Sequence, residues 1–191
     1  MKRIAIFASG NGSNAENIIT HFRKNNRDAE VALVVCNKPE AGVIERAGRL
    51  GTDTIVMTRA DINDPEKMLA VMDEYKIDLI ALAGFLLMVP AFLIERYKGK
   101  ILNIHPSLLP KYGGKGMYGK HIHEAVVAAK EKETGITIHL VSEECDGGDI
   151  IFQTSVPVEP NDTAADVEAK IHALEKEHYP RIIGEIILGT H

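Results

Sequence analysis

Two polar side chains stand at the end of a strand-like apolar run in the middle of the chain. Asn103 and His105 follow Ile101 and lie two residues apart, so on a pleated strand both point to the same side. Pro106 comes next and ends the strand, because proline has no backbone N–H to donate to a sheet. An amide and an imidazole at the carboxyl end of a buried strand occupy the position where open α/β sheets carry their sites. The simpler interpretation, a histidine hydrogen-bonded in a turn, is disfavoured by Asn103 and by an acidic loop downstream.

Asp146 supplies the third candidate group, from that acidic loop. Glu143 and Glu144 precede it, and Gly147 and Gly148 leave the backbone free to present amides or carbonyls to a ligand. One amide, one imidazole and one carboxylate are too few for a metal site. The sequence therefore predicts a site without a metal.

Other polar residues near these positions are weaker candidates. Ser107 lacks the G-x-S-x-G elbow of a hydrolase nucleophile. His121 and His123 have no cysteine or further histidine at metal-ligand spacing and are interpreted as solvated or loop residues. His139, in the strand before the acidic loop, either supports Asp146 or is a core histidine with satisfied hydrogen bonds.

A glycine-rich turn, Ser-Gly-Asn-Gly-Ser-Asn at residues 9–14, lies between an apolar strand and a helical pattern. Such a turn lets free backbone amides face an anion at a helix N-terminus. The spacing is close to the dinucleotide fingerprint, but the second strand ends at Cys36-Asn37 without the acidic residue that contacts ribose. No Gly-Lys-Ser or Gly-Lys-Thr is present for a nucleoside triphosphate. A monophosphate site fits better, and the alternative is a structural turn capped by Ser13 or Asn14.

The segment at residues 82–90 stays apolar beyond the end of its strand. Its backbone hydrogen-bonding groups and apolar side chains could line a pocket for a flat hydrophobic ring. The other interpretation of these residues is burial in the core.

Alternating strand and helix patterns must position these groups. Apolar runs predict strands at 3–9, 31–36, 54–57, 77–83 and from 101 onward, with helical periodicity between them. Alternation of this kind predicts parallel strands, right-handed crossovers and helices on both faces of a sheet.

The second half of the chain departs from this alternation. Residues 111–120 contain four glycines and predict a mobile loop. Strands at 136–141 and 149–158 predict an antiparallel hairpin, because a short loop joins them. Residues 162–188 form a long helical pattern that Pro180 should kink or divide. The predicted fold class is α/β: a Rossmann-like, mostly parallel twisted sheet with helices on both faces and an antiparallel hairpin near the C-terminal end.

Length and composition limit the class of protein. The 191 residues fit a single domain spanning 1–191, without an internal repeat or linker. A net charge of -5 and a pI near 5.9 disfavour a broad nucleic-acid or anionic-membrane surface. Cys36 and Cys145 form no CxxC pair, and the first apolar run is too short for a signal peptide or membrane span. We therefore expect a cytoplasmic protein without a nucleic-acid or membrane partner.

Four of these segments, taken in order, carry a resemblance to a known family: residues 9–14, residues 83–85, residues 103–110 and residues 146–148. The octapeptide Asn-Ile-His-Pro-Ser-Leu-Leu-Pro with a downstream aspartate is specific for the folate formyltransferase superfamily. Over essentially its full length, the chain resembles the phosphoribosylglycinamide formyltransferases, the branch with a phosphorylated amine substrate. This resemblance implies transfer of a formyl group from 10-formyltetrahydrofolate to the amine of glycinamide ribonucleotide, in purine synthesis.

The same resemblance implies the roles of individual residues, with residues 1–100 binding the ribonucleotide phosphate and residues 101–191 carrying catalysis and folate. The catalytic residues are Asn103, His105 and Asp146. The residues that match the phosphate and ribonucleotide positions are Gly12, Ser13, Asn14 and Glu175. The residues that match the folate site are Leu86, Leu87, Met88, Val89, Asn103, Ser142, Glu143, Glu144, Cys145 and Asp146.

Each catalytic group then has an expected task. When the amine attacks the formyl carbon, Asn103 donates a hydrogen bond to the oxyanion, worth about 10²–10³ in rate. His105 is a second donor if protonated, and Asp146 beside it should favour the imidazolium. Asp146 can also collect the ammonium proton, an effect of roughly 10²–10⁴. The loop at 111–120 is expected to close over the site and exclude water.

Two departures from the family pattern limit what is carried over. Leu87 stands where many relatives have arginine, so the arginine side-chain contact of those relatives is not carried over to this chain. The segment at 111–123 is longer and richer in glycine than the expected form, so no residue within it is assigned a role.

Other functions share parts of this pattern. Formyltransferases acting on methionyl-tRNA or a nucleotide sugar share the Asn-x-His and Asp residues but generally add a C-terminal domain. 10-Formyltetrahydrofolate hydrolase usually carries an N-terminal regulatory domain, and a non-catalytic phosphate-binding protein would need only the glycine-rich turn. The expected partners are the two small-molecule substrates, with 10-formyltetrahydrofolate as the co-substrate, and the expected state is a monomer or a homodimer.

Overall fold

A computed structural model describes residues 1–25 and 28–191 of the chain. Within these residues the strands are β1 (Lys2–Ala8), β2 (Ala29–Cys36), β3 (Asp53–Val56), β4 (Leu79–Leu82), β5 (Ile101–His105), β6 (Glu133–Leu140) and β7 (Ile150–Pro157). The helices are α1 (Ser13–Asn25), α2 (Gly42–Arg49), α3 (Arg59–Ile62), α4 (Pro65–Glu74), α5 (Ala91–Arg96), α6 (Lys120–Ala128) and α7 (Ala164–Leu188). The strands follow the sheet order β3-β2-β1-β4-β5-β6-β7. Across the described residues, no helix combines the length and apolar content that crossing a membrane requires.

The chain forms two compact units: Met1–Leu102 with Pro180–His191, and Asn103–Tyr179. The boundary after residue 102 lies near the predicted division at 100, whereas the last twelve residues belong to the first unit. The single-domain interpretation and the assignment of one ligand to each half stay predictions.

In the first unit, β1 is the centre of a parallel sheet. It pairs with β2 on one side and β4 on the other, and β3 pairs with the far edge of β2. Residues 4–8 have no exposed surface. Because successive side chains of a strand point to opposite faces, this means that both faces of β1 are covered. The predicted parallel sheet is confirmed.

The connection between β3 and β4 contains one helix that the sequence analysis missed. The short α3 is held by a capping box, in which the Thr58 hydroxyl accepts the Asp61 N–H and the Asp61 carboxylate accepts the Thr58 N–H. The next helix, α4, begins with Asp64 as its N-cap, whose carboxylate accepts the N–H groups of Glu66 and Lys67, and with Pro65 at its first position.

In the second unit, β6 and β7 are antiparallel, which confirms the predicted hairpin. The register places Ile138 opposite Phe152 but His139 opposite Ile150, so β7 carries one extra residue at this point. Such a β-bulge bends the strand and re-aims the side chains beside it. The bulge therefore lies at His139, a residue that the sequence analysis singled out.

Helix α7 continues across Pro180, so the expectation that this proline divides the helix is wrong. Proline removes one N–H and crowds the carbonyl four residues earlier, which usually breaks a helix. Here Ile182 and Ile183 follow the proline and are buried. Burial of an isoleucine side chain stabilises by about 1.5–3 kcal/mol, so packing offsets the missing hydrogen bond.

The β6–β7 pairing predicts the effect of a single added methyl group. A Cβ at Gly135 would lie 2.0 Å from the carbonyl oxygen of Thr154 and 2.6 Å from Cδ2 of Leu108. Because the paired backbone cannot move aside, Gly135→Ala should lower the free energy of unfolding by about 1–3 kcal/mol in urea titrations. Gly48→Ala in α2 is the control, since nothing lies within 4 Å of its added Cβ. It should raise stability by about 0.5–1 kcal/mol, and equal stability of the two variants would contradict the packing described.

Candidate active site

Asn103 is held by the histidine of the neighbouring β6 strand. Nδ2 of Asn103 lies 3.1 Å from Nε2 of His139. Nδ1 of His139 lies 2.9 Å from the carbonyl oxygen of Leu140, so Nδ1 carries the proton and Nε2 accepts from Asn103. This bond sets the direction of the Asn103 amide and leaves its second N–H for a ligand.

His105 is buried at the end of β5, with polar neighbours at both ring nitrogens. Nε2 lies 2.7 Å from the carbonyl oxygen of Tyr112, which can only accept, so Nε2 carries the proton. Nδ1 lies 3.6 Å from Oδ1 of Asp146. In the neutral ring this nitrogen has no proton, and it becomes a donor only in the imidazolium form.

Asp146 faces both imidazoles. Its Oδ1 lies 3.6 Å from Nδ1 of His105 and 3.7 Å from Nε2 of His139, and its Oδ2 accepts the Gly114 N–H at 2.9 Å. Its φ of 55° is in the left-handed region, where Asp is found more often than most residue types. The structure therefore brings Asn103, His105 and Asp146 together, with His139 touching both the amide and the acid.

Burial determines the charge state of this cluster. Burial lowers the pKa of His105, and the Asp146 carboxylate and the Tyr112 carbonyl, which raise it, do not compensate. The neutral form of His105 therefore predominates at pH 7: Asp146 raises the pKa of the ring and so favours the imidazolium, as expected, but it does not outweigh burial. Burial also opposes ionisation of Asp146, but its pKa still lies below the ordinary value, and the Gly114 N–H that donates to Oδ2 favours the carboxylate. Asp146 is a carboxylate at pH 7.

Buried hydrogen bonds fix the loop that follows β5. Thr137 Oγ1 donates to the Ser107 carbonyl at 2.7 Å and accepts the Leu109 N–H at 3.0 Å. Gln153 Nε2 donates to the same hydroxyl at 2.8 Å and to the Leu109 carbonyl at 3.1 Å. The Ser107 hydroxyl donates to the Lys111 carbonyl at 2.6 Å, so this serine is part of the scaffold.

Four residues of this arrangement are absent from the sequence prediction. Tyr112 and Gly114 act through backbone atoms, which every residue type has, so residue type carries no signal. The one link to residue type is at Gly114, whose φ of 91° is a value that glycine adopts easily. Thr137 and Gln153 are polar residues in apolar strands, a pattern that could have identified them.

Among the described residues, no three His, Cys, Asp or Glu side chains are placed to hold a metal ion. His121 is exposed at the start of α6, whereas His123 is buried, so its interpretation as a solvated or loop residue is wrong. Nδ1 of His123 has no hydrogen-bond partner within residues 1–25 and 28–191. Burial lowers the pKa of His123, which keeps it neutral.

Residues 142–146 form a compact turn that leads into Asp146. The Ser142 hydroxyl accepts the Glu144 N–H at 3.3 Å and donates to the Glu144 carbonyl at 3.1 Å. Glu143, Glu144 and Cys145 are exposed. The turn therefore offers backbone and side-chain groups to solvent directly beside the candidate acid.

Glu175 lies in α7 and is 8% exposed. Four residues further on, Tyr179 is fully buried, and burial together with the Glu175 carboxylate raises the pKa of its hydroxyl. A contact between Glu175 and a ribonucleotide stays a prediction.

In the first unit, the glycine-rich turn is shaped by a close approach of two backbones. Gly12 has a φ of 84°, and a Cβ there would lie 2.5 Å from the Cα of Val43, so only glycine fits. Helix α1 begins at Ser13, and its Glu16 N–H bonds to the Gly12 carbonyl at 2.9 Å. The N–H groups of Ser13 and Asn14 precede that bond and have no intrahelical acceptor. Within the described residues, neither side chain forms the capping hydrogen bond of the alternative interpretation.

Ser9 joins this turn to the segment after β4. Its N–H donates to the Gly84 carbonyl at 3.0 Å, and its hydroxyl accepts the Leu86 N–H at 2.9 Å. The hydroxyl donates to Oδ1 of Asn37 at 2.5 Å. The turn and the 84–89 segment are therefore one connected surface of the first unit.

The 84–89 segment exposes apolar side chains. Leu86 is 50% and Met88 is 55% exposed, whereas Leu87 is half-buried and Val89 is buried. The core interpretation therefore fails for Leu86 and Met88. Leu86 and Met88 are therefore available to contact an apolar ligand.

Known proteins share this sequence and fold. The Formyl transferase family model matches residues 2–183. The phosphoribosylglycinamide formyltransferase of Bacillus subtilis (strain 168) is 39% identical, over 98% of this chain and 95% of the relative. The protein of that name from Escherichia coli (strain K12) is 37% identical, over 94% of this chain and 84% of the relative. The crystal structure of glycinamide ribonucleotide transformylase 1 from Geobacillus kaustophilus has a TM-score of 0.88 at 38% identity, covering 98% of this chain and 99% of that one.

The surroundings of His105 predict the pKa of its ring in the wild-type protein and in one variant. The pKa of His105 should lie below 6.5, and Asp146→Asn should lower it further, because the substitution removes the charge that raises it. Asparagine keeps an acceptor for the Gly114 N–H. Since the unfolded chain binds this proton more tightly, stability should fall as the pH drops from 6.5 through the folded-state pKa. NMR titration of the ring nitrogens measures both values, and a pKa that rises in the variant would contradict the arrangement.

Proposed function

Since the chain belongs to the formyl transferase family, we propose that it transfers a formyl group from 10-formyltetrahydrofolate to the amine of glycinamide ribonucleotide. The products are formylglycinamide ribonucleotide and tetrahydrofolate, and the reaction is a step of de novo purine synthesis. The observation that carries the proposal is the cluster of the buried His105 with the half-buried Asn103 and Asp146.

The chemistry needs one donor for an oxyanion and one acceptor for a proton. The substrate amine attacks the formyl carbon, a C–N bond forms, and the carbonyl electron pair moves onto oxygen. The remaining N–H of Asn103 donates to that oxygen, a contribution of about 10²–10³ in rate. The new ammonium group gives its proton to the Asp146 carboxylate, directly or through water. Collapse of the intermediate breaks the bond to the folate nitrogen, which takes up a proton, and tetrahydrofolate leaves.

His105 is assigned a second hydrogen bond to the formyl oxygen, formed as negative charge develops on that oxygen. Its Nε2–H is already bonded to Tyr112, so it donates to the oxyanion only from Nδ1 and only when protonated. Negative charge on the substrate oxygen adds to that of Asp146 and favours the imidazolium against the cost of burial. His105 thus becomes a donor when Nδ1 takes a proton from solvent as this charge develops, and it returns that proton when the intermediate collapses.

We assign the phosphate of the ribonucleotide to Gly12, Ser13 and Asn14. The N–H groups at the start of α1 and the positive end of its macrodipole support this assignment. Glu175 is assigned to the ribonucleotide by its match to the family position.

We assign the folate to residues 86–89 and 142–146, together with Asn103. The exposed side chains of Leu86 and Met88 suit a flat apolar ring, and the 142–146 turn offers backbone groups for hydrogen bonds. Leu87 provides an apolar contact where many relatives have arginine.

An absorbance assay tests this function against its alternatives. Purified protein should release tetrahydrofolate from the 10-formyl folate only when glycinamide ribonucleotide is present. Release without the ribonucleotide would indicate a hydrolase. Binding of the ribonucleotide without any release would indicate a phosphate-binding protein without catalytic activity.

Removal of the proposed proton acceptor should affect turnover more than binding. Asp146→Asn should lower kcat by more than tenfold, within the roughly 10²–10⁴ expected of a general base, while both KM values change little. Asp149→Asn is the matched control, because this exposed carboxylate lies three residues away. A variant that keeps more than about a tenth of the wild-type rate would remove Asp146 from the mechanism.

The phosphate assignment predicts the opposite pattern for Ser13→Asp. An added carboxylate at the start of α1 repels a phosphate but suits the helix dipole, so the fold should hold. KM for the ribonucleotide should rise about tenfold or more, with KM for the folate unchanged. Ser13→Ala, which leaves the backbone N–H groups in place, should stay near the wild-type value. An equal rise in both KM values would count against a phosphate at this turn.

A further inference from the structure

The proton position on His105 depends on one backbone carbonyl. The Tyr112 oxygen lies 2.7 Å from Nε2 and holds the ring proton there. Nδ1 is therefore the nitrogen that faces Asp146, at 3.6 Å. Without this carbonyl the neutral ring could place its proton on Nδ1, hydrogen-bonded to the carboxylate.

The same loop also holds the carboxylate. Two residues after Tyr112, the Gly114 N–H donates to Oδ2 of Asp146 at 2.9 Å. The backbone from 112 to 114 thus contacts both the imidazole and the acid, and any turn of this segment would disturb both contacts.

Tyr112 has an unfavourable backbone conformation. Its φ is 55°, in the left-handed region that a residue with a Cβ seldom adopts. Such a conformation persists only where other contacts enforce it. The contacts that enforce this one must therefore come from the side chains of the loop or from the neighbouring scaffold.

Glu131 provides those contacts. The Tyr112 hydroxyl donates to Oε1 of Glu131 at 2.9 Å, and Lys111 Nζ lies 3.2 Å from each of its two oxygens. Glu131 lies between the end of α6 and the start of β6. Hydrogen bonds from Tyr112 and Lys111 lower the pKa of Glu131, so it is ionised at neutral pH. One carboxylate thus ties two consecutive side chains of the loop to the scaffold.

We propose that Glu131 is a positioning residue: through the Tyr112 hydroxyl it directs the Tyr112 carbonyl at His105 and the Gly114 N–H at Asp146. The catalytic meaning of this role rests on the proposed function, whereas the effect on the His105 ring does not. Glu131 makes no contact with the imidazole itself among the described hydrogen bonds and ion pairs.

The proposal predicts how substitutions of Glu131 and Tyr112 change kcat. Glu131→Ala and Tyr112→Phe should each lower kcat about fivefold to tenfold with little change in either KM, and the double variant should be no worse than the single ones. Glu131→Gln keeps an acceptor for the hydroxyl and should retain most of the activity. Glu133→Gln is the charge-matched control, since its exposed carboxylate forms no hydrogen bond to the loop among the described residues.

Ring ¹⁵N NMR shows which nitrogen of His105 carries the proton. A purely structural role of Glu131 would leave this proton position unchanged. Wild-type protein and Glu131→Gln should show a proton on Nε2, whereas Glu131→Ala and Tyr112→Phe should show a mixture of the two neutral forms. An unchanged Nε2–H form in both disruptive variants, or additive losses in the double variant, would overturn the proposal. If the wild-type protein transfers no formyl group, the proposed function fails, but the NMR result still decides the role of Glu131.

Discussion

The main constraint on the local structure of the second unit is the Asp146 carboxylate, which is charged although its side chain is only 12% exposed. Burial opposes the charge of Asp146, and an uncompensated buried charge is strongly destabilising. The direct compensation is the Gly114 N–H, which donates to Oδ2 at 2.9 Å. The two imidazoles at 3.6 and 3.7 Å add to it only when a ring gains a proton on the nitrogen that faces the carboxylate. These groups must be held in place around the carboxylate. This requirement explains why many hydrogen bonds of the second unit fix the end of β5 and the loop that follows it.

A β-bulge and a set of hydrogen bonds to the loop after β5 hold these groups in place. The bulge between β6 and β7 lies at His139, whose Nδ1–H is fixed by the Leu140 carbonyl. The loop after β5 is tied to β6 and β7 through Thr137 and Gln153. The neutral ring of His105 can gain a proton at Nδ1 without losing its Tyr112 partner at Nε2, as the proposed mechanism requires. A preorganised donor that responds to developing charge is what formyl transfer needs.

The sequence was informative where residue type and spacing carry the signal. The strand–helix alternation and the hairpin follow from periodicity, and Asn103, His105 and Asp146 stand out because they are polar residues beside buried strands. Contacts made by backbone atoms leave no such signal, which is why the parts played by Tyr112 and Gly114 could not be predicted. At Pro180 a local rule predicted a kink or a division of the helix. The helix is not divided, because the buried side chains that follow the proline outweigh the missing hydrogen bond. The sequence also indicated that Asp146 favours the imidazolium of His105, but not that burial outweighs this effect, because the burial of the ring depends on the folded structure.

The fate of the formyl carbon tests the account most directly. A 10-formyl folate labelled with ¹³C at the formyl carbon should be mixed with the protein and glycinamide ribonucleotide and followed by ¹³C NMR. The account predicts that the label moves to a formamide carbon on the glycinamide nitrogen, with tetrahydrofolate formed in equal amount. Label recovered as formate, or left on the folate, would contradict it.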